Sequence, residues 1–98
     1  MFVNVIKSYR DVVAVCDKEL IGKKFEEGKF QLDVKEDFFK GEEASEEKII
    51  EVMQDMSMED ATFNIIGENS INTALKIGLI SEDGIKKISG IPFALVLM

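Results

Sequence analysis

The stretch ATFNIIGENSINTALKIGL, residues 61–79, decides the fold. Ala61, Phe63 and Ile65 alternate with Thr62 and Asn64, the period of a strand with one face on a core. Gly67 breaks that alternation. Beyond it Ile71, Ala74, Leu75, Gly78 and Leu79 recur at helical spacing, which gathers them on one stripe. The segment therefore predicts a strand, a glycine turn and an amphipathic helix. Asn69 and Ser70 are the expected N-caps, because their short side chains accept from orphan N–H groups. Glu68 places negative charge at the positive end of the helix dipole, worth about 0.3–1 kcal/mol. Gly78 suits the C-terminus, where a left-handed residue is often needed.

A glycine that opens a helix leaves backbone N–H groups facing outward, so the Gly67–Ser70 turn is also the first candidate site for an anion or small ligand. A single glycine is far weaker than a glycine-rich phosphate loop, and Glu68 would repel an anion. Ordinary strand-to-helix capping is the simpler account.

Working outward, Ser45 is placed to cap a helix from Glu46 to about Asp55, with Ile49, Ile50, Met53 and Met56 inward. Glu36 to Phe39 forms a short turn that offers Phe38 and Phe39 to the core. Nearer the amino terminus, Phe2 to Ser8 and Val12 to Cys16 read as a hairpin around Tyr9-Arg10-Asp11. Asp17 to Leu20 reads as one helical turn capped by Asp17. Lys23–Glu26 and Lys29–Val34 read as a second hairpin, with Phe30, Leu32 and Val34 on its buried face. Past the central stretch, Ile85–Ser89 is a short strand, Gly90 a bend and Ile91–Leu97 a final strand. Pro92 belongs at that strand's start or at an edge.

These elements predict a single α+β domain over residues 1–98: a two-layer sandwich. Its mostly antiparallel sheet is built from the N-terminal hairpins and a C-terminal strand, with two main helices on one face. The strand–helix–strand unit from Ala61 onward is expected to add a parallel pairing.

Composition narrows the function classes. The chain has 98 residues, no histidine and one cysteine. That excludes Ser–His–Asp and Cys–His triads, histidine proton shuttles and the usual zinc sites. No catalytic, cofactor-binding or metal-binding grouping stands out, and the balance leans against an enzyme without deciding it. No apolar run approaches the ~20 residues that span a bilayer, and no signal peptide is evident. Cys16, inside VVAVC, behaves as a small hydrophobe, and a cytoplasmic location is the default for such a chain.

Charge is unevenly spread. The net is −7, and residues 36–60 alone carry ten Asp/Glu against two Lys/Arg. One expectation is an acidic surface that docks a basic protein or ribonucleoprotein; the alternative is a solvated helix face. Lys7, Arg10, Lys23, Lys24 and Lys29, beside Tyr9 and Phe25, form a candidate RNA-binding patch on the hairpins. Acidic residues interleave there and no RNA-binding motif accompanies them.

VVAVCDKELIGKKFEEGKFQLDV (12–34), ATFNIIGE (61–68), ALKIGLI (74–80) and ISGIPFA (88–94) together resemble an archaeal family known only as a domain of unknown function, number four-two-four. The resemblance implies a small cytosolic α+β domain and no established activity. Where relatives read GVPHA and then a polar residue, this chain has Phe93 and Leu95 at the histidine and polar positions. If the family shares a surface, its residues here are Asn64, Gly67, Glu68, Asn69, Ser70, Gly90 and Pro92. Three functions are then expected to compete: a non-enzymatic adaptor for a protein or ribonucleoprotein, an RNA-binding accessory domain, and a small-molecule or anion-binding protein at Gly67–Ser70.

Overall fold

The computed structural model describes residues 1–97 as a mixed α+β fold. Its elements in chain order are β1 (Phe2–Ile6), β2 (Val12–Cys16), β3 (Lys24–Glu27), β4 (Phe30–Asp33), α1 (Glu36–Phe39), β5 (Glu42–Glu43), α2 (Glu46–Met58), β6 (Thr62–Ile66), α3 (Glu68–Lys76), β7 (Lys86–Ile88) and β8 (Ile91–Val96). Six strands form the main sheet in the order β5-β1-β2-β6-β8-β7, and β3 with β4 forms a second, two-stranded sheet.

β2 and β6 occupy the middle of the main sheet because they can be buried on both sides. Val13, Ala14, Val15 and Cys16 are all inaccessible to solvent, as are Phe63 and Ile65 of β6. The alternation of the strands then sorts the core into two clusters. Val3, Val13, Val15, Phe63, Ile65 and Ala94 face α2 and α3, which contribute Ile49, Met53, Ile71 and Ala74. Ala14, Cys16 and Ile66 face the other way, onto Leu20, Val34 and Phe39. The two main helices thus share one face. The opposite face is covered by α1 and the β3–β4 hairpin.

Several expectations need correction. The second hairpin does not extend the main sheet, and Phe30 on it is 71% exposed while Val34 is buried. The hairpin tip projects past the core, so of Phe30, Leu32 and Val34 only the last two turn inward, joined by Phe25 from β3. The parallel pairing lies between β2 and β6, reached by the long connection through residues 17–61. The unit after β6 returns antiparallel, through β8. Neither Asn69 nor Ser70 caps α3, whose N-cap position is Gly67. Asp17 stands at the N-cap position of its own turn as expected, but its side chain makes no capping bond there and is used elsewhere. α2 begins as expected, with Ser45 Oγ accepting from Lys48 N–H at 3.3 Å, but runs three residues further, to Met58.

Pro92 sits in an interior strand without leaving an unmet partner. Pairing of β8 with β6 ends at Ile66↔Phe93, so no carbonyl of β6 waits for a Pro92 donor. Its own carbonyl accepts from Gly67 N–H at 2.9 Å.

Candidate functional site

The end of β2, the start of α3 and the β7–β8 hairpin meet at one end of the sheet. Helix α3 opens there with exposed N–H groups that need an acceptor, and Asp17 supplies it. One carboxylate oxygen accepts from Ser70 N–H at 2.8 Å and Ser70 Oγ at 2.7 Å. The other accepts from Asn69 N–H at 3.0 Å. Asp17 is 3% exposed and Ser70 fully buried, so this is an internal anion site filled by the chain's own carboxylate. Gly67 makes it fit: at φ +110°, it brings its backbone against Asp17 where a side chain would collide. A free anion at these amides would have to displace Asp17.

Beside this anchor lies an open cleft of about 430 Å³. One wall is the side of α3 that carries Glu68, Ile71, Asn72 and Leu75 at i, i+3, i+4 and i+7, with Ile71 at its core edge. The other is the loop and hairpin after α3, carrying Glu82, Ile85, Lys87, Gly90 and Pro92. The lining mixes polar and charged groups (Glu68, Asn72, Glu82 and Lys87) with the apolar Leu75, Ile85 and Pro92, while Ile71 belongs mainly to the core beneath. Ion pairs among the described residues lie elsewhere, as at Lys7–Asp11, Lys18–Glu43, Lys40–Glu36, Lys48–Glu51 and Lys76–Glu46. Glu68, Glu82 and Lys87 therefore bring mixed charge to the cleft with no ion-pair partner among the described residues.

Of the residues expected at a shared surface, the fold brings Glu68, Gly90 and Pro92 together on this cleft. Gly67 is buried behind it. Asn69 borders a separate depression with Glu46 and Lys76, and Ser70 is turned inward onto Asp17. Asn64 pairs with Ala14 and Leu95 and lies on the opposite face of the sheet. Phe93 is on that face too, packed against the second core cluster, so the position where relatives carry histidine does not look into the cleft.

The five basic residues are not gathered on one surface. Lys7 and Arg10 lie in the β1–β2 turn, at the start of β2, with Lys7 bonded to Asp11 at 3.2 Å. Lys23 and Lys24 follow from the far end of β2, and Lys29 is at the hairpin tip. The acidic segment 36–60 is spread over α1, β5 and α2 and contributes nothing to the cleft lining.

Sequence reasoning passed over Asp17, Asn72, Glu82 and Lys87. Asn72 was legible, lying four residues after Glu68 on the same helix. Asp17 was hidden because its partners lie 52 and 53 residues away. Among the described residues no group of three His, Cys, Asp or Glu is placed to hold a metal ion, and no helix is long and apolar enough to cross a membrane.

Burial acts on Cys16 at the end of β2. Desolvation, followed by the neighbouring Asp17 charge, pushes its thiol up to about 12 from an ordinary 9.0.

The fold has a solved counterpart. The crystal structure of an uncharacterized conserved protein from Methanopyrus kandleri superposes with a TM-score of 0.83, at 20% identity, over 99% of this chain and 92% of that one. No functionally curated protein matches the chain. A family model spans residues 6–98, the whole cleft and its Asp17 anchor included, and the chain belongs to the family described as Protein of unknown function (DUF424).

Proposed function

We propose that this protein is a non-enzymatic binding module that holds a short, mixed-charge segment of a protein partner in the cleft between α3 and the β7–β8 hairpin. The observation that carries the proposal is the set of three charged side chains, Glu68, Glu82 and Lys87, lining one open cleft with no ion-pair partner among the described residues. A ligand with a cationic side chain meets the two carboxylates, and an acidic neighbour meets Lys87. The apolar stem of a lysine or arginine lies along Ile71, Leu75 and Ile85. Such rim charges set specificity and on-rate more than affinity, so binding is weak, fast and salt-sensitive. A cytoplasmic setting belongs to the same proposal, supported by a single, buried thiol.

The test is titration of the isotope-labelled protein, followed by amide chemical shifts, with the blocked peptide Val-Glu-Thr-Lys-Val at low and high salt. Shifts should concentrate at Glu68, Asn72 and Lys87, and E68Q combined with E82Q should weaken binding about tenfold, a ~1.4 kcal/mol loss. Shifts that scatter over the surface, or an affinity untouched by the double substitution, would remove the cleft as the binding site.

A further inference from the structure

The β7–β8 hairpin exposes a strand edge beside the cleft. Ile88 pairs with Ile91, Lys87 with Pro92 and Lys86 with Phe93. The connection is the two residues Ser89 and Gly90, both left-handed at φ 51° and 79°, the signature of a type I′ turn. In such a hairpin the residues flanking the turn exchange both hydrogen bonds, and bonded and non-bonded pairs then alternate. Ile88 and Ile91 are therefore a bonded pair and Lys87 and Pro92 a non-bonded one, which suits a proline with no N–H to give. Pro92 points its carbonyl to the other side, where it meets Gly67. Lys87 must then direct both its N–H and its C=O away from β8.

Nothing among the described residues receives them. β7 is the last strand of the sheet order and pairs with β8 alone. At the next outward position the chain closes the edge itself: Glu27 accepts from Ser89 N–H at 2.8 Å, while Ser89 Oγ donates to the Glu26 carbonyl at 2.7 Å. Side-chain and hairpin covers of this kind are how proteins limit open edges. β3 and β4 also run close to β7, but no hydrogen bond from them reaches the N–H or C=O of Lys87 among the described residues.

We propose that the partner segment binds as an added β-strand on β7, with main-chain bonds to the N–H and C=O of Lys87. The inference rests on the proposed cleft function and specifies how the ligand is held. In an added strand, alternate side chains point to one face, so a residue opposite Lys87 and one two positions along both look toward the cleft. Opposite charges are favoured in directly facing pairs, which selects an acidic residue at Lys87. The residue two positions along, lying opposite Ile85, is brought toward Glu82 and is basic. The occupant is therefore an extended protein segment of the pattern acid-x-base, recognised through main chain for affinity and through the cleft charges for register. Two copies of β7 do not answer this description, because Lys86 and Lys87 would face their own counterparts.

The experiment compares the blocked peptide Val-Glu-Thr-Lys-Val with the same peptide N-methylated at the glutamate backbone nitrogen, a change that removes one main-chain donor and no charge. The expected result is a downfield shift and slowed hydrogen exchange at the Lys87 amide with the parent peptide, and at least tenfold weaker binding of the methylated one. Equal affinities, with the Lys87 amide unmoved while Glu68 and Asn72 still shift, would overturn strand addition and leave the cleft function standing. Failure of both peptides to bind would overturn the two together.

Discussion

Asp17 and Gly67 approach so closely that a methyl group on Gly67 would lie 2.7 Å from Asp17 Oδ2 and 2.8 Å from Asp17 Cβ. The contact ties the end of β2 to the start of α3 across fifty residues of chain, and it is what allows a buried carboxylate to cap the helix. Removing that carboxylate as Asp17→Ala leaves two backbone N–H groups and the buried Ser70 hydroxyl without their acceptor. Hydrogen bonds to charged groups and helix N-caps of this kind carry about 2–3 kcal/mol, so urea denaturation should show a loss of that size. Asp17→Asn keeps an acceptor and should cost less. A loss under about 0.5 kcal/mol for Asp17→Ala would mean that water satisfies these groups equally well.

Gly67→Ala tests the other half of the contact. The substitution meets two obstacles, a left-handed φ of +110° and the Asp17 side chain, and should destabilise by about 3 kcal/mol. The two obstacles separate in a double-mutant cycle. With Asp17→Ala already present the cost of Gly67→Ala should fall by about 1 kcal/mol, because the carboxylate is gone. It should not vanish, since the φ requirement and the residue 17 Cβ remain. Strict additivity would show that the two residues do not press on one another.

The thiol of Cys16 gives a pH signature. Its folded value lies near 12 and its ordinary value is 9.0. Below pH 9 both folded and unfolded chains keep the proton, and the group contributes no pH dependence. Between about pH 9 and 12 the unfolded chain releases the proton while the folded one retains it, so stability falls as pH rises, by up to about 1.4 kcal/mol per unit. Comparing wild type with Cys16→Ala at pH 8 and pH 10 should show the alkaline decline reduced in the variant. The native thiol should also react slowly with a disulfide reagent at pH 8, speeding up only on unfolding.

The sequence revealed what depends on local periodicity and concealed what depends on distant partners. β6, α3 and the start of α2 were legible because alternation, 3.6-residue spacing and the Ser45 cap are written in adjacent residues. The grouping of Glu68 with the Gly90–Pro92 bend came from the family resemblance and not from periodicity, and only the folded chain sets the two on one cleft. Asp17 was misjudged because a carboxylate after a strand looks the same whether it caps the next turn or a helix fifty residues on. The parallel neighbour of β6 was misassigned for a related reason: β2 and the C-terminal strands are all apolar runs, and pattern cannot choose between partners of equal hydrophobicity. Lys87 drew no notice because a lysine in a short strand reads as a solvated residue; its place on the cleft depends on the Ser89-Gly90 turn that folds β7 back along β8.

Phe39 and Phe30 differ sharply in burial. Both belong to the segment that covers the second face of the sheet, and pattern alone sent both inward. Phe39 is 5% exposed and meets Phe38 edge to face at 4.9 Å and 79°, while Asn4 Nδ2 donates to the Phe38 carbonyl at 2.9 Å and fixes α1 to β1. Phe39→Ala therefore opens a cavity between α1 and β2 and should cost about 3 kcal/mol or more. Phe30, 71% exposed at the hairpin tip, leaves no cavity when replaced, and Phe30→Ser should change stability by less than about 0.5 kcal/mol. Thermal and urea unfolding of the two variants decide the point. Comparable losses at both positions would mean that the hairpin tip is packed in solution and that the second core extends beneath it. A large loss at Phe39 alone places the hairpin tip outside that core, whose hairpin contribution then ends at Phe25, Leu32 and Val34.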